Sequence, residues 1–119
     1  MKYKLTTNFI IQNNKKLYQI QSLKNFSNVE VGELGGYIES EDNLSQKGNC
    51  WISCNAKVYD KAIVSRNARV FYNARVYDNA RVSGNARVSG NAEIYDNAMV
   101  SGNARVCNDA RISGNSFIF

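Results

Sequence analysis

One six-residue unit recurs from residue 49 to the end of this 119-residue chain, and it leaves few folds open. Its commonest form is Asn-Ala-Arg-Val-Ser-Gly. A β-branched aliphatic residue stands at Ile52, Val58, Val64, Val70, Val76, Val82, Val88, Ile94, Val100, Val106, Ile112 and Ile118 without exception. Two positions earlier the residue is always small: Cys50, then Ala at every sixth position from Ala56 to Ala110, then Ser116. Residues two apart on a strand share a face, and the residue between them points away. Ala and Val therefore face inward, and the intervening residue, most often Arg, faces out.

Each strand lasts about four residues before Gly-Asn or Asp-Asn intervenes, and Gly, Asn and Asp tolerate the left-handed backbone of a corner. A period of six would scatter the Val residues around a helix of 3.6 residues per turn. Hairpins are excluded because identical hexads leave no room for alternating turns. Short strand and corner, repeated, make a solenoid. The residue after each aliphatic sets the coil length. Tyr59, Tyr77 and Tyr95 are eighteen apart, each followed by Asp, and Ser65, Ser83 and Ser101 repeat at the same spacing. Three hexads make one coil, which predicts a triangular section with equivalent residues stacked about 4.8 Å apart.

The stretch Val82-Ser-Gly-Asn-Ala86-Arg and its neighbours resemble the hexapeptide-repeat left-handed β-helix proteins, whose pattern is aliphatic, any three, small, any. More closely, GELGGYIESEDNLSQKGNCW followed by NA-x-V hexads looks like a β-solenoid family of bacterial and phage genomes without one common activity. The left hand of the coil is what this resemblance implies, since parallel crossovers are otherwise right-handed.

Residues 1–36 lack the hexad. Phe9–Gln12 and Leu17–Ile20 flank Asn13-Asn14-Lys15-Lys16 and read as a hairpin. Its expected role is to cap the first coil, because solenoids need atypical terminal units. The solenoid is expected over 37–119, where residues 37–48 read as degenerate hexads with Ile38 and Leu44 in the small position.

The chain has no His and no Pro. Without His, the commonest general base and metal ligand is missing. As their families are known, β-helix acyltransferases rely on a catalytic His and β-helix carbonic anhydrases on three His ligands. The expectation is a non-enzyme with no cofactor and no metal. Asp60, Asp78 and Asp96 form a carboxylate column, but Gly84, Gly90 and Gly102 fill the same hexad position elsewhere, so corner geometry explains it better than calcium. Three irregularly spaced cysteines, Cys50, Cys54 and Cys107, argue against a disulfide framework and for a reducing cytoplasm. No segment reaches the roughly 20 apolar residues needed to span a bilayer, so no membrane partner is expected.

What remains is the surface. One face is expected to carry Trp51, Arg69, Arg87 and Arg105, and a second the Tyr59, Tyr77, Tyr95 ladder. These are the expected partner-binding residues, since Arg and Tyr serve protein hot spots and nucleic-acid backbones alike. The third face carries Ile63, Met99 and Phe117 outward beside Phe119, an apolar surface suited to a homodimer. The net charge of +5 permits an acidic partner. The resulting expectation is a rigid binding scaffold for a host protein complex, with nucleic acid as the other partner class. By resemblance, the specific case is a phage-encoded inhibitor of a bacterial defence complex, of the anti-CRISPR kind. The alternative is a small acyltransferase-like enzyme with an inter-subunit site.

Overall fold

Each hexad folds into a two-residue strand and a turn, and three hexads close one coil. The computed structural model describes Met1–Phe119. It is an all-β parallel solenoid of about 5 coils with 18 residues per turn and almost no helix. One face stacks β4 (Trp51–Ile52), β7 (Arg69–Val70), β10 (Arg87–Val88) and β13 (Arg105–Val106). The next stacks β5 (Lys57–Val58), β8 (Arg75–Val76), β11 (Glu93–Ile94) and β14 (Arg111–Ile112). The third stacks β6 (Ile63–Val64), β9 (Arg81–Val82), β12 (Met99–Val100) and β15 (Phe117–Ile118).

Pairing is parallel and in strict register, so Arg87 stands between Arg69 and Arg105, and Val88 between Val70 and Val106. Amides join the rungs: Arg87 donates to the Ala104 carbonyl at 2.9 Å, Ser89 to Val106 at 2.9 Å and Asn91 to Asn108 at 2.7 Å. At each corner one residue adopts positive φ, from Cys54 (59°) through Asp60, Arg66, Tyr72, Asp78, Gly84, Gly90, Asp96, Gly102 and Asn108 to Gly114 (64°). A chain of L-residues avoids this region, and one such residue per hexad turns the strand toward the next face.

The interior is as the pattern implies. Every small residue from Cys50 to Ala98 and every aliphatic from Ile52 to Val100 is fully buried. A Val side chain so placed contributes about 1.5–3 kcal/mol, and stacking repeats that contribution along the axis. At the C-terminal coil the cover thins: Ala110, Ile112 and Ile118 are half-buried and Ser116 is exposed.

The N-terminal segment is a hairpin joined to the solenoid by one sheet. β1 (Tyr3–Gln12) pairs antiparallel with β2 (Lys15–Ser22), which pairs antiparallel with β3 (Leu34–Ile38). β3 then lies parallel to β5. The turn is tighter than the sequence suggested. Only Asn13 and Asn14 form it, with φ of 50° and 66°, and Lys15 and Lys16 already belong to β2.

The first coil corrects the expected frame. Ile38 pairs with Val58 and Leu44 with Val64, so both occupy the aliphatic position, not the small one. Those offsets are twenty residues, whereas Ile52 and Val70 are eighteen apart. Two extra residues therefore lie between Leu44 and Ile52, where the chain passes Ser45–Asn49. Gly36 takes the small position of that coil. A Cβ there would sit 2.5 Å from Ile52 Cγ2 and 2.6 Å from the Ala56 carbonyl oxygen.

These placements set a stability order. Val82→Asp buries an unpaired charge and should cost at least about 4 kcal/mol. Gly36→Ala should cost about 1–3 kcal/mol through overpacking. Arg87→Ala, outward and exposed, should stay within about 0.5 kcal/mol of wild type. Urea unfolding midpoints check the ranking, and equal losses for Val82→Asp and Arg87→Ala would overturn the inward and outward assignment.

Candidate functional site

The three outward columns differ in how far their own chain satisfies them. On the face of β5, β8, β11 and β14, the rings of Tyr59, Tyr77 and Tyr95 stack with centroids 5.2 and 5.3 Å apart and nearly parallel planes. The Tyr77 hydroxyl donates to Glu93 Oε1 at 3.1 Å, and Arg111 Nε lies 3.3 Å from Glu93 Oε2. Burial, then Glu93, raises the Tyr77 hydroxyl above its ordinary pKa. On this face Glu93 is paired with Arg111, whereas Lys57 and Arg75 form no salt bridge.

The corner beside the Tyr ladder carries the carboxylate column. The Asp60 amide donates to Glu39 Oε1, the Asp78 amide to Asp60 Oδ2, the Asp96 amide to Asp78 Oδ2 and the Gly114 amide to Asp96 Oδ2, at 2.8–3.1 Å. Each carboxylate thus caps the amide of the next rung, and no group of three or more Cys, Asp or Glu is arranged to hold a metal ion. Lys15 of the hairpin closes the column, 2.8 Å from Asp60 Oδ1 and 3.6 Å from Glu39 Oε2.

The face of β4, β7, β10 and β13 is different. Arg69, Arg87 and Arg105 project from successive rungs in register, and no carboxylate forms a salt bridge with any of them. Arg69 is held from outside the repeat: its guanidinium donates to Asn28 Oδ1 and Ser27 Oγ, both at 2.5 Å. Partial burial and the Arg87 charge pull its pKa below the ordinary value. Arg87 and Arg105 are exposed. Ser27 and Asn28 form one wall of a groove whose other residues include Asn67, Phe71, Asn85 and Arg87. Asn67 donates to Asn85 Oδ1, and Asn85 to Asn103 Oδ1, so a polar ladder borders the Arg column.

Two of the residues expected to meet a partner are covered. Trp51 is 2% exposed, packed edge-on against Phe26 and Tyr3 of the N-terminal segment at 5.4 and 6.5 Å. Tyr59 is 3% exposed. Outward position in a hexad does not guarantee access once another segment folds over it. Tyr77 and Tyr95 remain partly exposed. On the third face Ile63 and Met99 are half-buried with exposed Arg81 between them, and Phe117 and Phe119 are 58% and 83% exposed. The Ser27–Asn28 clamp had no sequence signal, since it lies in a loop without the repeat.

The architecture defines a parallel β-solenoid, and comparison with known proteins agrees. The family model described as YdcK beta solenoid repeat matches residues 74–90, 80–93 and 92–108. The uncharacterized acetyltransferase YdcK of Escherichia coli (strain K12) is 41% identical over 58 residues, which are 48% of this chain and 18% of that protein. The chain thus spans under a fifth of the curated relative it matches. No helix of the structure is long and apolar enough to cross a membrane.

Lys15 gives the hairpin a pH signature. Burial works to raise the Asp60 carboxyl, but Lys15 and the Asp78 amide outweigh it and hold its pKa below the ordinary value. A depressed carboxylate contributes stability above its unfolded pKa and loses that contribution as pH falls through the folded one. Lys15→Met should therefore melt below wild type at neutral pH. The two curves should converge in acid, as thermal scans between neutral pH and pH ~2 would show.

Proposed function

We propose that this chain is a rigid, non-catalytic binding scaffold whose Arg column docks an acidic protein surface. The observation that carries this reading is Arg69, Arg87 and Arg105 standing in register without a carboxylate partner. Planar guanidiniums at rung spacing suit a run of carboxylates, and clamping Arg69 by Ser27 and Asn28 fixes one of them before a partner arrives. A bacterial defence complex is the partner suggested by resemblance to solenoids of phage genomes. Arg87→Glu with Arg105→Glu tests the surface, because both side chains are exposed and the core is untouched. Pull-down from a bacterial host should lose its partner with this variant while the melt stays unchanged. Retention of the partner would move the proposal to Tyr77 and Tyr95. A steep log–log salt slope, about −0.9 per phosphate neutralised, would replace the protein partner with a nucleic-acid one.

The name of the Escherichia coli relative favours a second reading, an acyltransferase-like protein; an inter-subunit site is part of this proposal alone. Saturable binding of acetyl-CoA in calorimetry, followed by acyl transfer, would select it over the scaffold. With no His in the chain, any base in that reaction would have to be a different residue.

Self-association is proposed for the third face, through Ile63, Met99, Phe117 and Phe119. Light scattering should report a dimer for wild type and a monomer for Phe117→Ser with Phe119→Ser. A monomeric wild type at high concentration would remove this interface from the proposal.

A further inference from the structure

Lys2 and Cys50 meet inside the cap, forty-eight residues apart in sequence. Both are buried, at 1% and 0% exposed. Lys2 Nζ lies 3.2 Å from Cys50 Sγ, 2.7 Å from the Cys50 carbonyl oxygen and 3.3 Å from that of Gly48. The other polar atoms around the sulfur are carbonyl oxygens of Ser45, Lys47 and Val64, at 3.5–3.8 Å. None of them is a nucleophilic nitrogen. The Trp51 amide, which follows Cys50 in the chain, is committed to the Ala68 carbonyl at 3.1 Å. The other two thiols, Cys54 and Cys107, are exposed.

We propose that Lys2 and Cys50 are a peroxide-dependent modification site, where oxidation joins Nζ to Sγ in a sulfenamide cross-link. The chemistry balances with one peroxide. Sulfur attacks a peroxide oxygen, the O–O bond breaks, and Cys50 becomes a sulfenic acid with loss of one water. The neutral Lys2 amine then attacks the sulfur, the S–O bond breaks, and the departing hydroxide takes an amine proton to leave as a second water. Two hydrogens are lost from the protein, one from the thiol and one from the amine. A sulfenic acid ordinarily condenses with a thiol or a backbone nitrogen. Here no second thiol is buried beside it, and the adjacent amide is hydrogen-bonded and carries no basic lone pair. The neutral lysine amine keeps a lone pair for the sulfur at 3.2 Å while its N–H groups donate to the two carbonyls. Burial lowers the Lys2 pKa, which raises the share of neutral amine. Peroxide reaches the sulfur when the first residues open, next to the exposed Met1. The link would fasten β1 to the first coil and constrain the unfolded chain as a disulfide does.

The test uses Cys54→Ser with Cys107→Ser, so that no disulfide can form. Limited hydrogen peroxide should lower the intact mass by about 2 Da. Peptide mapping should find the Lys2 peptide joined to the Cys50 peptide, and dithiothreitol should reverse both changes. Lys2→Met in the same background should show neither. Trp51, the sole tryptophan, lies against Tyr3 and Phe26, so unchanged emission verifies that the cap is folded in each protein. Sulfinic or sulfonic Cys50 without a linked peptide, an unreacted Cys50, or a mass loss that survives Lys2→Met would each overturn the cross-link.

Discussion

Parallel pairing in strict eighteen-residue register is the constraint on which the rest of the structure depends. Once the Arg87 amide donates to Ala104 and the Ser89 amide to Val106, each residue must stand on its equivalent in the neighbouring coil. Inside, this places Val on Val and Ala on Ala, each fully buried from Ile52 to Val100 because each layer repeats the last. Outside, the same rule turns single residues into columns. Asn donates to Asn, Tyr stacks on Tyr, and an Asp carboxylate reaches the amide one rung on. Cohesion and surface pattern thus have one cause.

That cause also limits what a surface column signifies. In-register stacking multiplies whatever residue the hexad carries, so three aligned arginines arise without selection for each. Their mutual cost is small: unit charges about 5 Å apart in water repel by under about 1 kcal/mol. Fully buried Val rungs outweigh that several times over. The column alone therefore carries little weight as a site. More telling is that Glu93 and Arg111 pair on a neighbouring face while the Arg69, Arg87, Arg105 face has no carboxylate partner.

The solenoid was legible because its determinants are local and repeated. Inward Ala and Val, corners at every sixth residue and the eighteen-residue coil all follow from the string of letters. The first coil was not legible in the same way. Ile38 and Leu44 keep the six-residue step between them, but the two residues inserted before Ile52 shift their frame, and two aliphatics in the small position read as degeneracy as readily as insertion. Trp51 and Tyr59 show the other limit. Each occupies an outward hexad position, and each is buried, because burial depends on a segment whose docking the hexad does not encode. The hairpin itself was readable from the polar Asn13-Asn14-Lys15-Lys16 stretch between two apolar runs; where it would land was not.

Where the hairpin lands fixes the physical character of the first coil. At the N-terminal coil, Tyr3 donates its hydroxyl to the Leu44 carbonyl, Gln46 accepts from the Lys2 and Tyr3 amides, and Trp51 is covered by two aromatic rings. Backbone groups that a first rung would leave open are thereby satisfied, and β2 supplies β3 with a neighbour. At the far end Phe117 and Phe119 lie exposed with their rings edge to face at 5.4 Å. The arginine face is coupled to the covered end, because Ser27 and Asn28, which hold Arg69, belong to the same N-terminal segment that buries Trp51. Loosening that segment would free Arg69 while leaving Arg87 and Arg105 as they are, so the cap that stabilises the fold also sets the geometry of one arginine in three.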